Sequence, residues 1–253
     1  MRNLIPILLA VVVLSSGCDP EGYSCNSEGC YEDDNSPQYQ TLEDCLSVCD
    51  EITPTPGSCG APVLHDGYAY STVQIGDQCW FSENCRYLPE VSLTGPISTS
   101  DPYYYVYNYQ FTDLGAALAT SNYDTYGVLY NWPAVMTEAI CPSGWHIPSD
   151  EEFTQLTDFL GGEGIAGGKM KEAGYDHWSS PNTGATNSSG WTGLPGGLSS
   201  SGGFSNSGNS GFWWSASESG SGSWIRILDL SNDIVVRYSS LRSSGFSARC
   251  VRD

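Results

Sequence analysis

Two short motifs, each with one cysteine, bracket the C-terminal half of this chain. The first has the sequence Cys-Pro-Ser-Gly-Trp-His-Ile-Pro-Ser-Asp over residues 141–150, and the second has Gly-Phe-Ser-Ala-Arg-Cys-Val-Arg-Asp over residues 245–253. The stretch between them is rich in glycine and serine and has little regular periodicity, which is typical of loops and short strands. The motifs therefore predict a compact domain that is covalently stapled near its two ends.

The N-terminal residues have the pattern of an export signal. Arg2 precedes an apolar run over residues 4–14, and Ser16 and Gly17 place small side chains directly before Cys18. This pattern predicts a secretory signal over residues 1–17 instead of a membrane anchor. The cysteine that follows favours a bacterial lipoprotein, lipidated at Cys18 and anchored to the envelope at the outer membrane or cell surface. The alternative is ordinary secretion, with Cys18 as one more cysteine.

Residues 18–50 are expected to form a small module behind the lipidated cysteine. This segment has few apolar residues and cannot build a core, so disulfides among Cys25, Cys30, Cys45 and Cys49 would have to stabilise it. A four-cysteine zinc site fits the count, but the oxidising compartment argues against a metal. A proline-containing linker over residues 51–57 then leads to the main domain, residues 58–253.

The charge of the chain limits its partners. The formal net charge is −20, and Arg86 is the only cation between Asp19 and Gly168. Nucleic acid is excluded as a partner because no basic stripe could neutralise phosphates. The membrane is expected to be reached through the lipid anchor alone.

The clearest helix signal follows Pro148. Ser149 is expected to cap a helix and Glu152 to complete a capping box, while Asp150 and Glu151 add negative charge at the positive end of the helix dipole. Apolar residues at helical spacing continue to Leu160, and two glycines end the helix. A second, short helix is expected around residues 166–172.

Strand patterns surround these helices. They cover residues 68–75, 78–81, 126–132, 212–215, 224–230 and 234–238, with a hairpin turn at 231–233 between the last two. The tyrosine-rich stretch 103–109 favours a strand with aromatic side chains packed partly against the domain. A carbohydrate platform is the alternative interpretation.

Ordered motifs from about Tyr70 onward resemble those of one family, the Fibrobacter succinogenes major paralogous domain. The motifs are Thr-Val-Gln-Ile-Gly-Asp-Gln-Cys-Trp-Phe-Ser-Glu-Asn at 72–84, Tyr-Gly-Val-Leu-Tyr-Asn-Trp at 126–132, the two bracketing motifs, Ala-Thr-Asn-Ser-Ser-Gly at 185–190, Leu-Pro-Gly-Gly at 194–197 and Trp-Ser at 214–215. The resemblance implies an exported bacterial protein, often a surface lipoprotein. It also implies an α+β fold of the C-type-lectin-like and formylglycine-generating-enzyme group. Such a fold has two helices, a small twisted antiparallel sheet and long Gly/Ser-rich loops.

The same resemblance suggests how the cysteines of the main domain pair. The termini of such a fold lie close together, so a disulfide between Cys141 and Cys250 is expected, closing a long loop. Cys59 is expected to pair with Cys79. Cys85 takes a place where many family members have leucine, and it is the expected odd thiol.

The sequence shows little that indicates catalysis. None of His65, His146 and His177 lies at metal-ligand spacing from another histidine or cysteine, and His146 is expected to be a structural, hydrogen-bonded residue. Formylglycine-generating enzymes use paired cysteines near the end of the chain, where this sequence has only Cys250. We therefore expect no catalytic residues, no metal and no cofactor.

A C-terminal hairpin is the expected binding surface. Because successive side chains of a strand point to opposite faces, one set can hold the fold while the other faces outward. The expected framework positions are Trp224, Arg226, Leu228, Val235 and Arg237, and the candidate ligand-binding positions are Ile225, Ile227, Asp229, Ser231, Asn232, Val236, Tyr238, Ser240 and Arg242. The alternative is the ordinary sequence variation of an edge strand and its loops.

Three functions are compatible with these patterns. The first is a non-enzymatic cell-surface lipoprotein that binds an extracellular protein or glycan, or mediates adhesion, through the hairpin face. The second is a structural envelope protein without a dedicated ligand. The third is an oxidative enzyme of the formylglycine type, which requires a free and exposed Cys250.

Overall fold

The computed structural model describes residues 23–26, 29–32, 58–95, 97–201 and 203–253. The chain divides into two compact units, residues 1–61 and 62–253. In the first unit, β1 (Tyr23–Asn26) and β2 (Gly29–Glu32) form an antiparallel hairpin in which Cys25 lies opposite Cys30. Cys18, Cys45 and Cys49 lie outside the described residues.

The second unit has thirteen strands and five helices among its described residues. The helices are α1 (Leu114–Leu118), α2 (Ser121–Tyr126), α3 (Trp132–Val135), α4 (Asp150–Phe159) and α5 (Glu163–Met170). The strands are β3 (Val63–His65), β4 (Tyr68–Tyr70), β5 (Thr72–Ile75), β6 (Gln78–Phe81), β7 (Tyr104–Tyr105), β8 (Leu129–Tyr130), β9 (Trp145–His146), β10 (Gly196–Ser200), β11 (Gly203–Ser207), β12 (Ser210–Ser219), β13 (Gly222–Asp229), β14 (Val236–Leu241) and β15 (Val251–Arg252). The mixed α+β class is confirmed. None of the helices in the described part of the chain is both long and apolar enough to cross a bilayer.

The strands form a larger set of sheets than the single small sheet that was expected. One sheet has the order β11-β10-β12-β13-β14, and a second has the order β5-β6-β15-β9. Two further two-stranded sheets pair β3 with β4 and β7 with β8. All of these pairings are antiparallel except β10 with β12, so the five-stranded sheet is mixed.

Short helices replace part of the expected strand at residues 126–132. Tyr126 ends α2, and the Asn131 side chain accepts a hydrogen bond from the Ala134 amide to cap α3. Only Leu129 and Tyr130 pair as a strand. The segment is largely buried, as predicted. It contains the end of α2, the two-residue strand β8 and the start of α3.

The last strand occupies the centre of the four-stranded sheet. Val251 pairs with Trp80 of β6 on one side and with His146 of β9 on the other. Next to it, Cys250 forms a disulfide with Cys141, which closes a loop with a sequence separation of 109 residues. Cross-linking a loop of that length removes about 4–5 kcal/mol of chain entropy from the unfolded state.

The expected cysteine pairing of the main domain is found in full. Cys141 pairs with Cys250, and Cys59 pairs with Cys79. Cys85 is the free cysteine within the described residues, and it is buried.

Strand β13 is covered on both faces, which contradicts the expectation that one of its faces is open. Ile225 is 1% exposed and packs in a core cluster with Trp214 and Phe246. Leu228, on the other face, is also 1% exposed and packs in a second cluster with Phe153. The two faces of the five-stranded sheet therefore bury two separate cores.

Helix α4 begins as the sequence predicts. The Ser149 hydroxyl accepts a hydrogen bond from the Glu152 amide at 3.1 Å, and the Glu152 carboxylate accepts one from the Ser149 amide at 2.7 Å. Leu160 is the C-cap, and Gly161 and Gly162 follow with φ of 103° and 94°, a region that favours glycine.

Asp150 ties this helix to the hairpin of β13 and β14, and we call its contacts the Asp150 clamp. Its Oδ1 accepts a hydrogen bond from Arg226 Nη1 at 2.7 Å, and its Oδ2 accepts one from Arg237 Nη2 at 2.7 Å. The Arg226 side chain is only 1% exposed, and the Arg237 guanidinium lies 3.3 Å from the centre of the Trp224 ring. The clamp fixes both strands of the hairpin against the first turn of α4.

Replacing Asp150 with asparagine is expected to lower the free energy of unfolding by about 3 kcal/mol, because Arg226 would be left as a buried charge without an anion. Denaturant unfolding of the purified protein measures the change. Glu151→Gln is the matched control: Glu151 is an exposed neighbour in the same first turn, and its replacement should change stability by less than about 0.5 kcal/mol. Equal effects of the two substitutions would contradict the clamp.

The clamp should also depend on pH. Burial raises the pKa of Asp150, but the hydrogen bonds and charges of Arg237 and Arg226 outweigh burial and hold its pKa below the ordinary value. A lowered folded-state pKa stabilises the protein above the unfolded value of about 3.9, and this contribution is lost as pH falls through the folded value. The difference in unfolding free energy between wild type and Asp150→Asn should therefore be constant near neutral pH and shrink below about pH 4. A difference that does not change in acid would contradict this assignment.

Candidate functional site

A shallow groove lies where β12 turns into β13 and where β14 ends. Its volume is about 440 Å³, and small or hydroxylated residues dominate its lining. We call it the hairpin groove, and it is lined by Ser219, Ser221, Gly222, Tyr238, Ser239, Ser240, Leu241 and Ser244. Strand β14 is the edge of its sheet, so this end of the sheet is open to a partner.

Two exposed side chains of β14 supply the apolar surface of the groove. Tyr238 is 58% exposed and Leu241 is 67% exposed. An exposed tyrosine offers both an apolar ring and a hydroxyl for contact, and serine hydroxyls can both donate and accept. The groove thus combines an apolar contact with several adaptable polar groups.

The structure brings only part of the predicted set of binding residues into this groove. Tyr238 and Ser240 line it, whereas Ile225 belongs to the core and is wrong as a binding residue. Ser231 is exposed but lies in the turn, away from the groove lining. The other predicted binding positions are half-buried, and they are Ile227, Asp229, Asn232, Val236 and Arg242.

The half-buried residues have contacts within the protein. The Asp229 carboxylate accepts hydrogen bonds from Ser210 Oγ at 2.8 Å and from Ser231 Oγ at 2.6 Å. Burial raises the pKa of Asp229, and these hydrogen bonds outweigh it and lower that pKa. Arg242 lies over the Trp132 ring and pairs with Glu218 at 3.1 Å. Asp229 and Arg242 therefore contribute to holding the hairpin in place.

A buried lysine fixes the turn between β13 and β14. Lys171 is fully buried, and its Nζ donates to the backbone carbonyls of Thr183, Asp229 and Asn232 at 2.8–2.9 Å. Burial lowers the pKa of Lys171, and the charges of Asp229 and Asp233 oppose that shift. The turn that was expected to contact a ligand is therefore held to the body of the domain.

Sequence reasoning missed most of the groove. Leu241 and the serines at positions 219, 221 and 244 were not among the predicted binding positions, and neither was Gly222. A signal was present, since the turn Gly-Ser-Gly at 220–222 predicts an open hairpin end. The groove is brought together by two cross-strand pairs, Gly222 with Leu241 and Ser223 with Ser240. This pairing could not be predicted from the sequence.

A second concavity lies beside the first bracketing motif. This cleft, which we call the His146 cleft, has a volume of about 730 Å³ and includes Val135, Cys141, Ile147 and Glu138 in its lining. It lies between the end of α3, the loop that follows, and the start of α4. It is larger than the hairpin groove and more apolar.

His146 itself is engaged on both ring nitrogens. Its Nε2 lies 2.8 Å from Glu152 Oε1, and its Nδ1 lies 2.5 Å from Asp253 Oδ1. Burial lowers the pKa of His146, but the two carboxylates outweigh burial and raise it. The geometry agrees with the expectation of a structural histidine, because neither ring nitrogen is left to accept a proton from a substrate.

Only Tyr104 and Tyr105 of the tyrosine-rich stretch pair as a strand, β7, and the predicted strand is therefore shorter than residues 103–109. Tyr104 and Tyr105 are 5% and 2% exposed, and Tyr107 packs on Phe204 with ring centres 5.3 Å apart. For these three tyrosines the structure agrees with the packed interpretation.

Cys250 does not meet the requirement of the enzymatic alternative. It is fully buried and bonded to Cys141, whereas an oxidative cysteine must be free and exposed. The free thiol of Cys85 lies 3.5 Å from Cys250 Sγ and is also fully buried. Burial raises the pKa of Cys85 to about 12, although the charge of Arg249 acts in the opposite direction.

The chain has no match among curated proteins or among solved structures. The family model of the Fibrobacter succinogenes major domain matches residues 73–252. This match spans more than half of the chain and includes the first bracketing motif and nearly all of the second. The chain therefore belongs to the Fibrobacter succinogenes major domain family.

Proposed function

We propose that this protein is a non-enzymatic, lipid-anchored envelope protein whose main domain binds an extracellular ligand through the hairpin groove. The observation that carries the proposal is the exposure of Tyr238 and Leu241 on an edge strand, beside a serine-lined concavity. In this proposal the domain has a C-type-lectin-like fold and mediates ligand binding or adhesion at the cell surface. The lipid would be attached at Cys18, and it would be the contact with the membrane.

The composition of the groove supports binding of a varied polar ligand. Tyrosine, serine and glycine supply contact area and adaptable hydrogen bonding at low conformational cost, as they do in antibody binding loops. The volume of about 440 Å³ suits one or two side chains of a protein or a few sugar rings. The ligand classes are therefore an extracellular protein and a glycan.

The Asp150 clamp supports the proposal by making the groove rigid. Arg226 and Arg237 hold β13 and β14 against α4, and the disulfide holds the neighbouring sheet. A pre-organised surface loses less side-chain and loop freedom on binding, which leaves more of the contact energy as affinity.

The negative net charge of the chain supports a protein or a glycan over nucleic acid as the partner. A net charge of −20 opposes binding to the phosphates of nucleic acid, and it keeps an exported protein soluble. The buried, disulfide-bonded state of Cys250 supports a binding protein over an oxidative enzyme. A structural envelope protein without a ligand is the remaining alternative, and the binding experiment distinguishes it.

The test screens the full chain, processed at Cys18, against glycan arrays and against envelope proteins of neighbouring cells. Tyr238→Ala and Leu241→Ala should each weaken binding of a ligand found in the screen by about 10- to 30-fold, the effect of removing an interface anchor. Affinity is measured by titration calorimetry or biolayer interferometry.

Two matched substitutions control for exposed side chains elsewhere. Tyr175 is 64% exposed and Leu64 is 74% exposed, and neither lines the groove. Tyr175→Ala and Leu64→Ala should therefore leave the affinity unchanged. If a ligand binds all four variants equally well, the groove is not its binding site. If no ligand binds the wild-type protein, the result favours a structural envelope protein without a ligand.

A further inference from the structure

The His146 cleft offers apolar surface that a small molecule could cover. Val135 and Ile147 supply buried apolar side chains to its lining, at 1% and 8% exposure. Met136 is 48% exposed and Trp145 is half-buried, so part of each side chain faces the open space of the cleft. A volume of about 730 Å³ lies within the range of sites that hold small organic molecules.

The charge around this apolar surface is negative. Glu138 and Glu152 line the cleft, and among the described residues of its lining none is a lysine or an arginine. His146 lies between two carboxylates, 2.8 Å from that of Glu152 and 2.5 Å from that of Asp253. These three side chains together are net negative even when His146 is protonated. The cleft therefore favours a cation over an anion.

Glu138 is the carboxylate of the cleft that a ligand can reach without breaking an internal contact. The Glu152 oxygens accept a hydrogen bond from the Ser149 amide and contact His146. Glu138 is exposed, and no hydrogen bond or ion pair engages its side chain within the described part of the chain. An exposed ion pair to such a carboxylate strengthens binding by up to about fivefold.

Trp145 offers a ring to the same cation. One part of the ring packs on Phe81, with ring centres 4.8 Å apart, and another part lines the cleft. Elsewhere in the domain a tryptophan ring already holds an internal cation, as Trp224 does with Arg237 at 3.3 Å. Among the described residues no lysine or arginine lies over the Trp145 ring, and Arg252, which is opposite it in the strand pairing, does not line the cleft. The electron-rich face of an indole attracts ammonium groups.

We propose that the His146 cleft is a second binding site, and that it binds a small organic cation, an amine or a quaternary ammonium on an apolar body. The ammonium group pairs with Glu138 and is attracted by the Trp145 ring, while the apolar body packs against Met136 and Ile147. This site is independent of the hairpin groove, because the two concavities share no lining residue.

Methionine methyl groups report on the cleft directly. The chain has methionine at positions 1, 136 and 170. Met136 lines the cleft, whereas Met170 is fully buried in the second core cluster and serves as the internal control. The full chain, labelled with methyl-¹³C methionine, is titrated with 2-phenylethylamine, 2-phenylethanol and 3-phenylpropionate while its methyl NMR spectrum is recorded. The three probes share a phenyl ring on a short chain and differ in charge.

We expect 2-phenylethylamine to shift the Met136 signal to saturation, with an affinity about tenfold higher than that of 2-phenylethanol. The affinity of 3-phenylpropionate should be the lowest of the three, and added salt should weaken the binding of the amine alone. The Met170 signal should not move. The proposal is overturned if the amine binds no more tightly than the alcohol, if Met136 does not reach saturation, or if Met170 shifts together with Met136.

Replacing Glu138 tests the origin of the preference. Glu138→Gln should weaken the binding of the amine about threefold to fivefold and leave that of the alcohol unchanged. Glu138→Lys should reverse the order, so that 3-phenylpropionate binds more tightly than the amine. Glu163→Lys is the matched control, because Glu163 is also exposed but lies outside the lining of the cleft. An unchanged Met170 signal shows that each variant is folded. If folded Glu138→Lys keeps the order of the wild type, the cleft is not a cation site.

Discussion

The position of Val251 between Trp80 and His146 is the constraint on which the other elements of the main unit depend. This strand of two residues completes a sheet whose other strands lie far from it in sequence. The disulfide between Cys141 and Cys250 secures the adjacent residue, and the buried Arg249 packs its guanidinium 3.8 Å from the centre of the Trp191 ring. The segment 249–252 thus joins the second core cluster, the four-stranded sheet and the loop before α4.

The binding surface that we propose depends on a second, polar connection. Asp150 begins α4 and accepts hydrogen bonds from arginines of two adjacent strands, so one carboxylate sets the position of a helix and of a hairpin together. Lys171 holds the turn of the same hairpin through three backbone carbonyls. Charged groups are rarely buried unless paired or hydrogen-bonded, and here they specify where β13 and β14 lie relative to the helices.

Local signals in the sequence were sufficient for some elements. The capping box of Ser149 and Glu152 predicted the start of α4, because a cap depends on residues three positions apart. The two strands of the C-terminal hairpin were located to within three residues at each end, because strand composition and turn residues are also local signals. The disulfides came from the family resemblance, since neither composition nor spacing determines connectivity.

Other features depend on long-range register and could not be predicted. Alternation along β13 suggested that Ile225 faces solvent, but a strand inside a sheet that is covered on both faces buries both sets of side chains. The role of Asp150 depends on Arg226 and Arg237 lying next to each other in paired strands, which only the register of β13 with β14 establishes. Helix α2 is short and polar, so it lacks the apolar periodicity by which longer helices are recognised.

The central position of β15 has a consequence for the order of folding. A chain that is synthesised from its N-terminus presents β5, β6 and β9 long before residues 251 and 252 arrive. Until then β6 and β9 have no strand between them, and Cys141 has no Cys250 to bond with. Contacts that span so much sequence form slowly, because loop closure must precede them. The four-stranded sheet can therefore close only after almost the whole domain has been made, and until then the facing edges of β6 and β9 stay unpaired.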